Sequence, residues 1–143
     1  MDLGTGGGFP LSTSSRLFPN VQFHLVDSIG KKVKVAQEVA QAIGLKNVKF
    51  CHARAEEIKE KYDFVVTRAV MPMADLMKVA RKNIKHEQHN AVPNGIIALK
   101  GGELNSEIAS MKNISTVWEL SDFFEEEYFK TKKVVHVTVV SKK

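Results

Sequence analysis

The chain has one cysteine and no long hydrophobic run, and these two features exclude several classes of protein. Cys51 stands alone among 143 residues, so an internal disulfide is excluded and the sequence has no cysteine-based metal motif. No apolar stretch is long enough to cross a bilayer, and Met1 precedes an acid and a glycine rather than a basic and then apolar leader. We therefore expect a cytoplasmic protein without a membrane partner.

A third absence concerns glycine. The first turn reads DLGTGGGFP, with Gly4, Gly6 and Gly8 at alternate positions. The dinucleotide fingerprint G-x-G-x-x-G requires a further glycine at Phe9 or Leu11, depending on where the count starts, and neither position has one. A pyrophosphate site is therefore disfavoured. The glycines still allow the backbone to approach a ligand closely, which favours another adenosine-containing molecule.

Two acids accompany this turn and favour S-adenosylmethionine as that ligand. Alternating glycines after an acid look like the first motif of S-adenosylmethionine-dependent methyltransferases, and we expect the acid here, Asp2, to face the ligand's ammonium. Asp27 follows the glycines by about twenty residues and ends an apolar strand over residues 21–26, where an acid binds ribose hydroxyls. Ser28 is expected to cap a helix over residues 31–43. The expected core face of that helix is Val35, Val39, Ala42 and Ile43.

The remainder of the chain alternates between strands and helices. Further strands are predicted at residues 48–53, 62–67, 96–99, 116–120 and 134–140. A helix is predicted after Pro72 and another over residues 104–111. The first of these is expected to bury Leu76, Val79, Ala80 and Ile84. The alternation predicts an α/β fold with helices on both faces of a parallel sheet, built as a single domain over residues 1–143.

Four motifs, taken in order, make the sequence similar to one family. They are DLGTGGGFP from residue 2, VDSIGKK from residue 26, TRA from residue 67 and ALKG from residue 98. With these motifs the chain resembles the RsmG family, also called glucose-inhibited division protein B. The resemblance implies a class I, Rossmann-like methyltransferase fold with seven strands, largely parallel, with an antiparallel last strand. It also implies methyl transfer from S-adenosylmethionine to guanine N7 of bacterial 16S rRNA, with the small ribosomal subunit as partner.

The resemblance also assigns residues to a cofactor site. Asp27 corresponds to the ribose-side acid of the family. The family's cofactor contacts lie in the glycine turn, at two positions after the third strand and at one position after the fourth strand. The contacts implied in this way are Gly4, Phe9, Ala55, Glu56 and Arg68.

The implied reaction needs no general base, because guanine N7 attacks through a neutral lone pair and carries no proton. Positioning and electrostatics should therefore dominate. Arg68 and Lys100 follow the fourth and fifth strands, at the carboxyl edge where ligands bind in open α/β sheets. We expect Arg68 to lie in the cleft, or to steady loops by pairing with a carboxylate such as Glu56. Lys100 is expected either to hold an RNA phosphate or the guanine O6, or to be a solvated lysine.

The charge balance favours a polyanionic partner. Lysine and arginine number 21 against 16 acids, which gives a formal charge of +5. Phosphate contact is expected from a basic patch before the last strand, formed by Lys130, Lys132 and Lys133. Trp118 and Phe129 are expected to pack in the core or to cover the C-terminal sheet rather than to stack on a base.

The histidines are expected to have no catalytic or metal-binding role. His24, His52 and His136 fall inside predicted strands and should be partly buried there. His86 and His89 lie in a polar segment and lack a third ligand nearby, so no metal site is predicted.

Two departures from the family pattern leave alternatives open. Residues 11–16 read LSTSSR where family members have a glycine and an apolar helix, which should weaken the first helix. The chain also starts at the first strand, so we expect a truncated protein that lacks part of that strand and the family's N-terminal helices. One alternative is an inactive cofactor- or RNA-binding module, and another is a nicotinamide-dependent oxidoreductase. We expect a monomer.

Overall fold

Alternating apolar runs and polar turns form seven strands in the part of the chain that the computed structural model describes, which is residues 1–4, 15, 17–68 and 71–139. The chain divides into two units, Met1–Ile58 and Lys59–Lys143. The alternation of strands and helices is as predicted, and each strand begins or ends within a few residues of its predicted bounds.

The first unit is built on three parallel strands. They are β1 at Asp2–Leu3, β2 at Phe23–Asp27 and β3 at Val48–His52, in the order β3-β2-β1. Helix α1, at Gly30–Ala42, connects β2 to β3 and packs against both strands. Leu25 and Val26 of β2 have no exposed surface, as expected for a strand covered on both faces.

The predicted core face of α1 is wrong. Val33, Ala36 and Ala40 are the buried residues of the helix, whereas Val35 and Ile43 are exposed. Both sets recur at helical spacing, so periodicity alone does not distinguish them. The face that packs on the strands combines Val33 with two alanines, and Val35 and Ile43 lie on the outer face.

Asn47 anchors the segment that leads into β2. Its side-chain amide donates to the carbonyl oxygens of Ser15 at 3.1 Å, Phe18 at 3.1 Å and Val21 at 2.8 Å. Ser15 is 1% exposed. It is the only residue of the segment 11–16 that the structure describes, so the predicted weakening of the first helix lies outside the described residues.

The second unit contains the other four strands and two helices. β4 at Phe64–Arg68 runs parallel to β5 at Gly95–Gly101, and α2 at Met73–Ala80 lies between them in the chain. After α3 at Asn105–Ile108 come β6 at Ser115–Glu119 and β7 at Lys132–Thr138. β7 pairs antiparallel with both β5 and β6, which gives the order β4-β5-β7-β6. The predicted antiparallel last strand is confirmed.

The core of this unit lies along β4, β5 and β7. Val65, Ile96, Ala98, Val135 and Val137 have no exposed surface. The predicted face of α2 is largely confirmed, since Leu76 and Ala80 are buried, with Met73 in addition, while Val79 is half-buried. Ile84 is buried too, but it lies beyond the helix and forms a bridge with Tyr62.

Asn94 organises the polar segment before β5. It is fully buried, and its side-chain amide donates to the carbonyl oxygens of Lys85 at 3.1 Å and Glu87 at 2.7 Å. Its own N–H donates to the side chain of Gln88 at 2.7 Å. His136 of β7 lies 2.9 Å from the carbonyl oxygen of Pro93, to which its ring N–H can donate. Asn94 is thus a hydrogen-bonded junction that leads directly into the strand at Gly95.

Within the described residues no helix is both long and apolar enough to cross a membrane.

Candidate functional site

The predicted cofactor residues of the first unit lie where its parallel strands end. Gly4 follows β1 with a φ of 70°, a conformation that L side chains rarely adopt, and its N–H donates to the carbonyl oxygen of Val26 at 2.8 Å. Asp2 is buried within β1. Gly6, Gly8 and Phe9 lie outside the described residues. The described part of the glycine turn therefore begins with the positive φ that a close approach to a ligand requires.

Asp27 ends β2 and is held in a fixed orientation. The side chain is buried, and its Oδ1 accepts a hydrogen bond from the N–H of Ile29 at 2.9 Å. Its backbone carbonyl accepts the N–H of Ala53 at 3.0 Å, which ties the ends of β2 and β3 together. The predicted capping role of Ser28 is wrong, because α1 starts at Gly30 with Ile29 as its N-cap and without a side-chain cap.

His52 is a neighbour of this acid that the sequence did not reveal. It pairs with Asp27 in the register of β2 and β3, and it is exposed rather than partly buried as predicted. Its Nε2 lies 3.0 Å from the carbonyl oxygen of Ser28. The ring packs over Gly30, where a Cβ would lie only 3.2 Å from the ring's Cε1. The signal that could have found this contact is a glycine in the first turn of a helix, since glycine there permits close approach.

The next predicted contacts, Ala55 and Glu56, lie in a short 3-10 helix at Ala55–Glu57. Ala55 is buried and Glu56 is exposed. The N–H of Arg54 donates to the carboxylate of Glu57 at 3.2 Å, which fixes the start of the turn. The three strand ends of this unit thus present a glycine with positive φ, a buried acid and a short turn with an exposed acid.

Arg68 is the last residue of β4 in the second unit. It is exposed, and its register partner on β5 is Leu99. Within the described residues of this unit no ion pair joins Arg68 to a carboxylate. Its side chain is therefore exposed at the carboxyl end of a parallel strand, and its place in a cleft stays a prediction.

Lys100 is not a solvated lysine, and that interpretation is wrong. It is 7% exposed, and its Nζ donates to the carbonyl oxygen of Met71 at 2.5 Å and forms an ion pair with Glu107 Oε1 at 2.8 Å. The sequence did not show this because Glu107 lies in α3 and reaches Lys100 only through the fold. The predicted contact of Lys100 with RNA stays a prediction, and it would require this pair to open.

Glu107 also accepts the N–H of Met73 at 2.8 Å, at the start of α2. Partial burial opposes ionisation, but the hydrogen bonds from Lys100 and Met73 and the charge of Lys100 together lower the pKa of Glu107 below its ordinary value of 4.5. This carboxylate therefore stays ionised at neutral pH and serves two donors from different parts of the chain.

The three lysines of the predicted basic patch each contact a group of the protein. Lys130 pairs with Glu127 at 2.5 Å, and Lys133 with Glu119 at 3.6 Å. Lys132 Nζ lies 5.1 Å from the centre of the Tyr128 ring. Exposed pairs of this kind are weak, so they leave the predicted phosphate contacts open.

The aromatic residues near the patch form a cluster. Phe129 packs against Phe124 at 4.7 Å and edge-on to Tyr128 at 5.2 Å between ring centres. Trp118 of β6 lies 6.5 Å from the His136 ring and is 39% exposed. Trp118 and Phe129 therefore both pack against neighbouring side chains of the second unit. The described residues hold no group of three or more histidine, cysteine or acidic side chains arranged for a metal ion.

Comparison with known proteins decides the family. Residues 1–136 match the family described as rRNA small subunit methyltransferase G, or GidB. The chain belongs to this family. The resemblance drawn from the four motifs is thereby confirmed.

Members of the rRNA small subunit methyltransferase G family are similar along almost the whole chain. The protein of that name from Phocaeicola vulgatus is 66% identical over 139 residues, which is 97% of this chain and 66% of the relative. The one from Bacteroides fragilis is 63% identical over 139 residues, 97% of this chain and 68% of the relative. The chain thus spans about two thirds of the length of these relatives.

A solved structure confirms the fold. The RNA methyltransferase from Salinibacter ruber, crystallised in complex with S-adenosyl-L-homocysteine, superposes with a TM-score of 0.71 over 99% of this chain and 80% of its own. The two sequences are 14% identical, so the likeness concerns the fold. The chain has the class I, Rossmann-like methyltransferase fold, as predicted.

Proposed function

We propose that this chain carries the catalytic domain of an S-adenosylmethionine-dependent methyltransferase that modifies the rRNA of the small ribosomal subunit. The observation that carries the proposal is the family match over residues 1–136, together with 66% identity to a protein named for that activity. The nicotinamide alternative loses its support, because the third glycine of the dinucleotide fingerprint is missing and the family is one of methyltransferases.

The residues of the first unit fit S-adenosylmethionine. The φ of 70° at Gly4 suits a backbone that passes close beneath a ligand. Asp27 offers a buried carboxylate whose orientation is fixed by Ile29, and a fixed acid at the end of the second strand suits a ribose diol. Ala55 and Glu56 complete the proposed cofactor contacts of this unit, with Asp2 facing the ammonium.

The cofactor supplies an electrophilic methyl group on a sulfonium. The chain's own residues then hold and orient the reactants, because a neutral guanine N7 has no proton to lose. Arg68 is proposed to orient the cofactor and the base from the end of β4, where its guanidinium is exposed. No buried histidine has to act as a base, and the hydrogen bond of His136 to Pro93 fits a structural role.

The finer assignment, to guanine N7 of 16S rRNA, is a proposal that rests on the family. Phosphate contacts are proposed for the exposed Lys130 and for Lys132 and Lys133, which are half-buried at the start of β7. The partner is then the small ribosomal subunit or its precursor, and the place of action is the cytoplasm.

The test is methyl transfer to small ribosomal subunits that lack the modification. The chain is incubated with labelled S-adenosylmethionine, the RNA is digested, and the labelled nucleoside is identified by mass spectrometry. We expect 7-methylguanosine at one position. Arg68→Ala should reduce the rate by about tenfold or more while RNA affinity changes little, because positioning matters most in the transition state. Lys112→Met, on an exposed turn, is the matched control for loss of a positive charge.

Three outcomes would contradict parts of the proposal. A labelled nucleoside other than 7-methylguanosine would refute the N7 assignment and leave the methyltransferase. Cofactor binding without transfer to any ribosomal RNA would favour the inactive module. No binding of S-adenosylmethionine in calorimetry would refute the function as a whole.

A further inference from the structure

Lys100 and Glu107 join three elements of the second unit at one point. Lys100 lies near the end of β5, Glu107 in α3, and both reach the connection between β4 and α2. Lys100 Nζ holds the carbonyl oxygen of Met71, and Glu107 Oε1 holds the N–H of Met73. The two side chains hold each other at 2.8 Å.

The pair binds the two backbone groups in complementary ways. A carbonyl oxygen needs a donor, which Lys100 supplies, and the first N–H of a helix needs an acceptor, which Glu107 supplies. Pro72, the N-cap of α2, offers no side-chain acceptor of its own. The start of α2 is therefore anchored at Met71 and at Met73 by two side chains that are distant in sequence.

This anchor lies close to Arg68 along the chain. β4 ends at Arg68 and α2 starts at Met73, so only residues 69 and 70 separate Arg68 from the first anchored carbonyl. On its other side Arg68 is fixed by the register of β4 with β5, where its partner is Leu99, the residue before Lys100. Lys100 thus directly follows the register partner of Arg68 on β5, and the backbone groups that Lys100 and Glu107 hold begin three residues after Arg68 in the chain.

We propose that Lys100 and Glu107 are positioning residues, which fix the end of β5 against the start of α2 and so the orientation of Arg68, the register partner of Leu99, for methyl transfer. This inference rests on the proposed function. It replaces direct RNA contact by Lys100 with an indirect role, since its amine already has a carbonyl and a carboxylate as partners. Glu107, which no sequence motif indicated, is the new member of the site.

The inference makes a kinetic prediction that a merely structural role does not make. If the pair acts through Arg68, then a variant without the pair and a variant without Arg68 lose the same contribution to the rate, namely the oriented Arg68 side chain. Glu107→Ala and Lys100→Met should each lower kcat for methyl transfer by about tenfold or more, since small displacements of a positioning group have large effects on rate. The affinity for S-adenosylmethionine should change by less than about threefold.

A double-mutant cycle provides the decisive comparison. We expect Arg68→Ala combined with Glu107→Ala to be no slower than Arg68→Ala alone, because residues that act as a unit are not additive. Glu107→Gln keeps an acceptor for the Met73 N–H and should recover part of the rate. Glu60→Gln and Lys112→Met, both exposed, are the matched controls and should leave the rate unchanged.

Two results would overturn the inference. If the rate losses of the two single variants multiply in the double variant, then the pair acts independently of Arg68. Rate losses that follow only the fraction of unfolded protein, measured by circular dichroism at the assay temperature, would reduce the pair to a stabilising contact.

If the wild-type chain transfers no methyl group, that result counts against the proposed function and not against the positioning role of the pair. A second measurement then tests the positioning role. Amide exchange and ¹⁵N chemical shifts are recorded for the wild type and Glu107→Ala. We expect faster exchange at the Met73 N–H and shifted signals for the Arg68 backbone and Nε–H. If Met73 changes and Arg68 does not, the positioning role is refuted even though the clamp exists.

Discussion

The N–H of Ile29 donates to the carboxylate of Asp27 at 2.9 Å, so the proposed ribose acid also organises the start of α1. Loss of this side chain therefore has two effects. Asp27→Ala removes both the acceptor for Ile29 and the proposed acceptor for the ribose. Asp27→Asn retains an oxygen for Ile29 and loses the negative charge.

We expect Asp27→Ala to weaken binding of S-adenosylmethionine by about 1.5–3 kcal/mol, on the scale of hydrogen bonds to charged groups. Asp27→Asn should lose less, and its melting temperature should stay closer to that of the wild type. Calorimetry measures the affinity, and Asp122→Asn, on the exposed surface, is the control. A folded Asp27→Ala protein with wild-type affinity would remove Asp27 from the site.

Glu107 makes the stability of the chain depend on pH. Its pKa is lowered in the folded state, so the folded chain binds a proton at Glu107 less readily than the unfolded chain. The stability that Glu107 contributes is therefore fully present above its ordinary pKa of 4.5 and is lost as the pH falls through the lowered value. We expect the difference in unfolding free energy between the wild type and Glu107→Gln to be constant near neutral pH and to shrink below pH 4.5.

Urea denaturation over a series of pH values measures this difference. Glu60→Gln, which removes an exposed carboxylate, should show no comparable change. If the difference in unfolding free energy grows as the pH falls, then the pKa of Glu107 is raised in the folded state rather than lowered.

Gly95 lies opposite the backbone of β7 without room for a side chain. A Cβ at this position would overlap the carbonyl oxygen of Val137. We expect Gly95→Ala to lower the free energy of unfolding by about 1–3 kcal/mol, because the two strands must separate to admit a methyl group. Gly101→Ala, in the same strand, meets Lys132 Nζ at 3.4 Å and nothing nearer, so it is the matched control. Equal melting temperatures for the two variants would contradict this account.

Asn94 donates two side-chain hydrogen bonds from a fully buried position. In Asn94→Ala the carbonyl oxygens of Lys85 and Glu87 lose their donor in a partly buried place. We expect a loss of about 1–3 kcal/mol in thermal or urea unfolding. Asn113→Ala, at an exposed position, should stay within about 0.5 kcal/mol of the wild type. A neutral Asn94→Ala would show that water satisfies both carbonyls.

The strands and the cofactor edge were predictable because their signals are local. The apolar run that ends at Asp27 fixes both a strand and the position of its acid, and the positive φ at Gly4 follows from a residue type that tolerates it. The face of α1 was not predictable in this way. Val35 and Ala36 both belong to helical repeats, and which of them is buried is decided only when the helix packs on the sheet.

Lys100 shows the second limit of sequence interpretation. A lysine after a strand is usually solvated, and no pattern around Lys100 indicates that Glu107 and the carbonyl of Met71 surround it. Its partners come from an α-helix and from a connection after another strand, so the contact exists only once β4, β5 and α3 have assembled. Neither motifs nor periodicity predict ion pairs between residues that belong to different elements of the fold.

The place of β7 between β5 and β6 has a consequence for folding. β6 precedes β7 in the chain, yet within the described residues β7 is its only strand neighbour. Until β7 docks, the backbone groups of β6 have no strand partner, and Val117 and Trp118 lie beside an open edge with which another chain can pair. Dilution from urea at high protein concentration should therefore yield more aggregate for a variant that weakens β7, such as Val135→Asn, than for the exposed-site variant Lys112→Met.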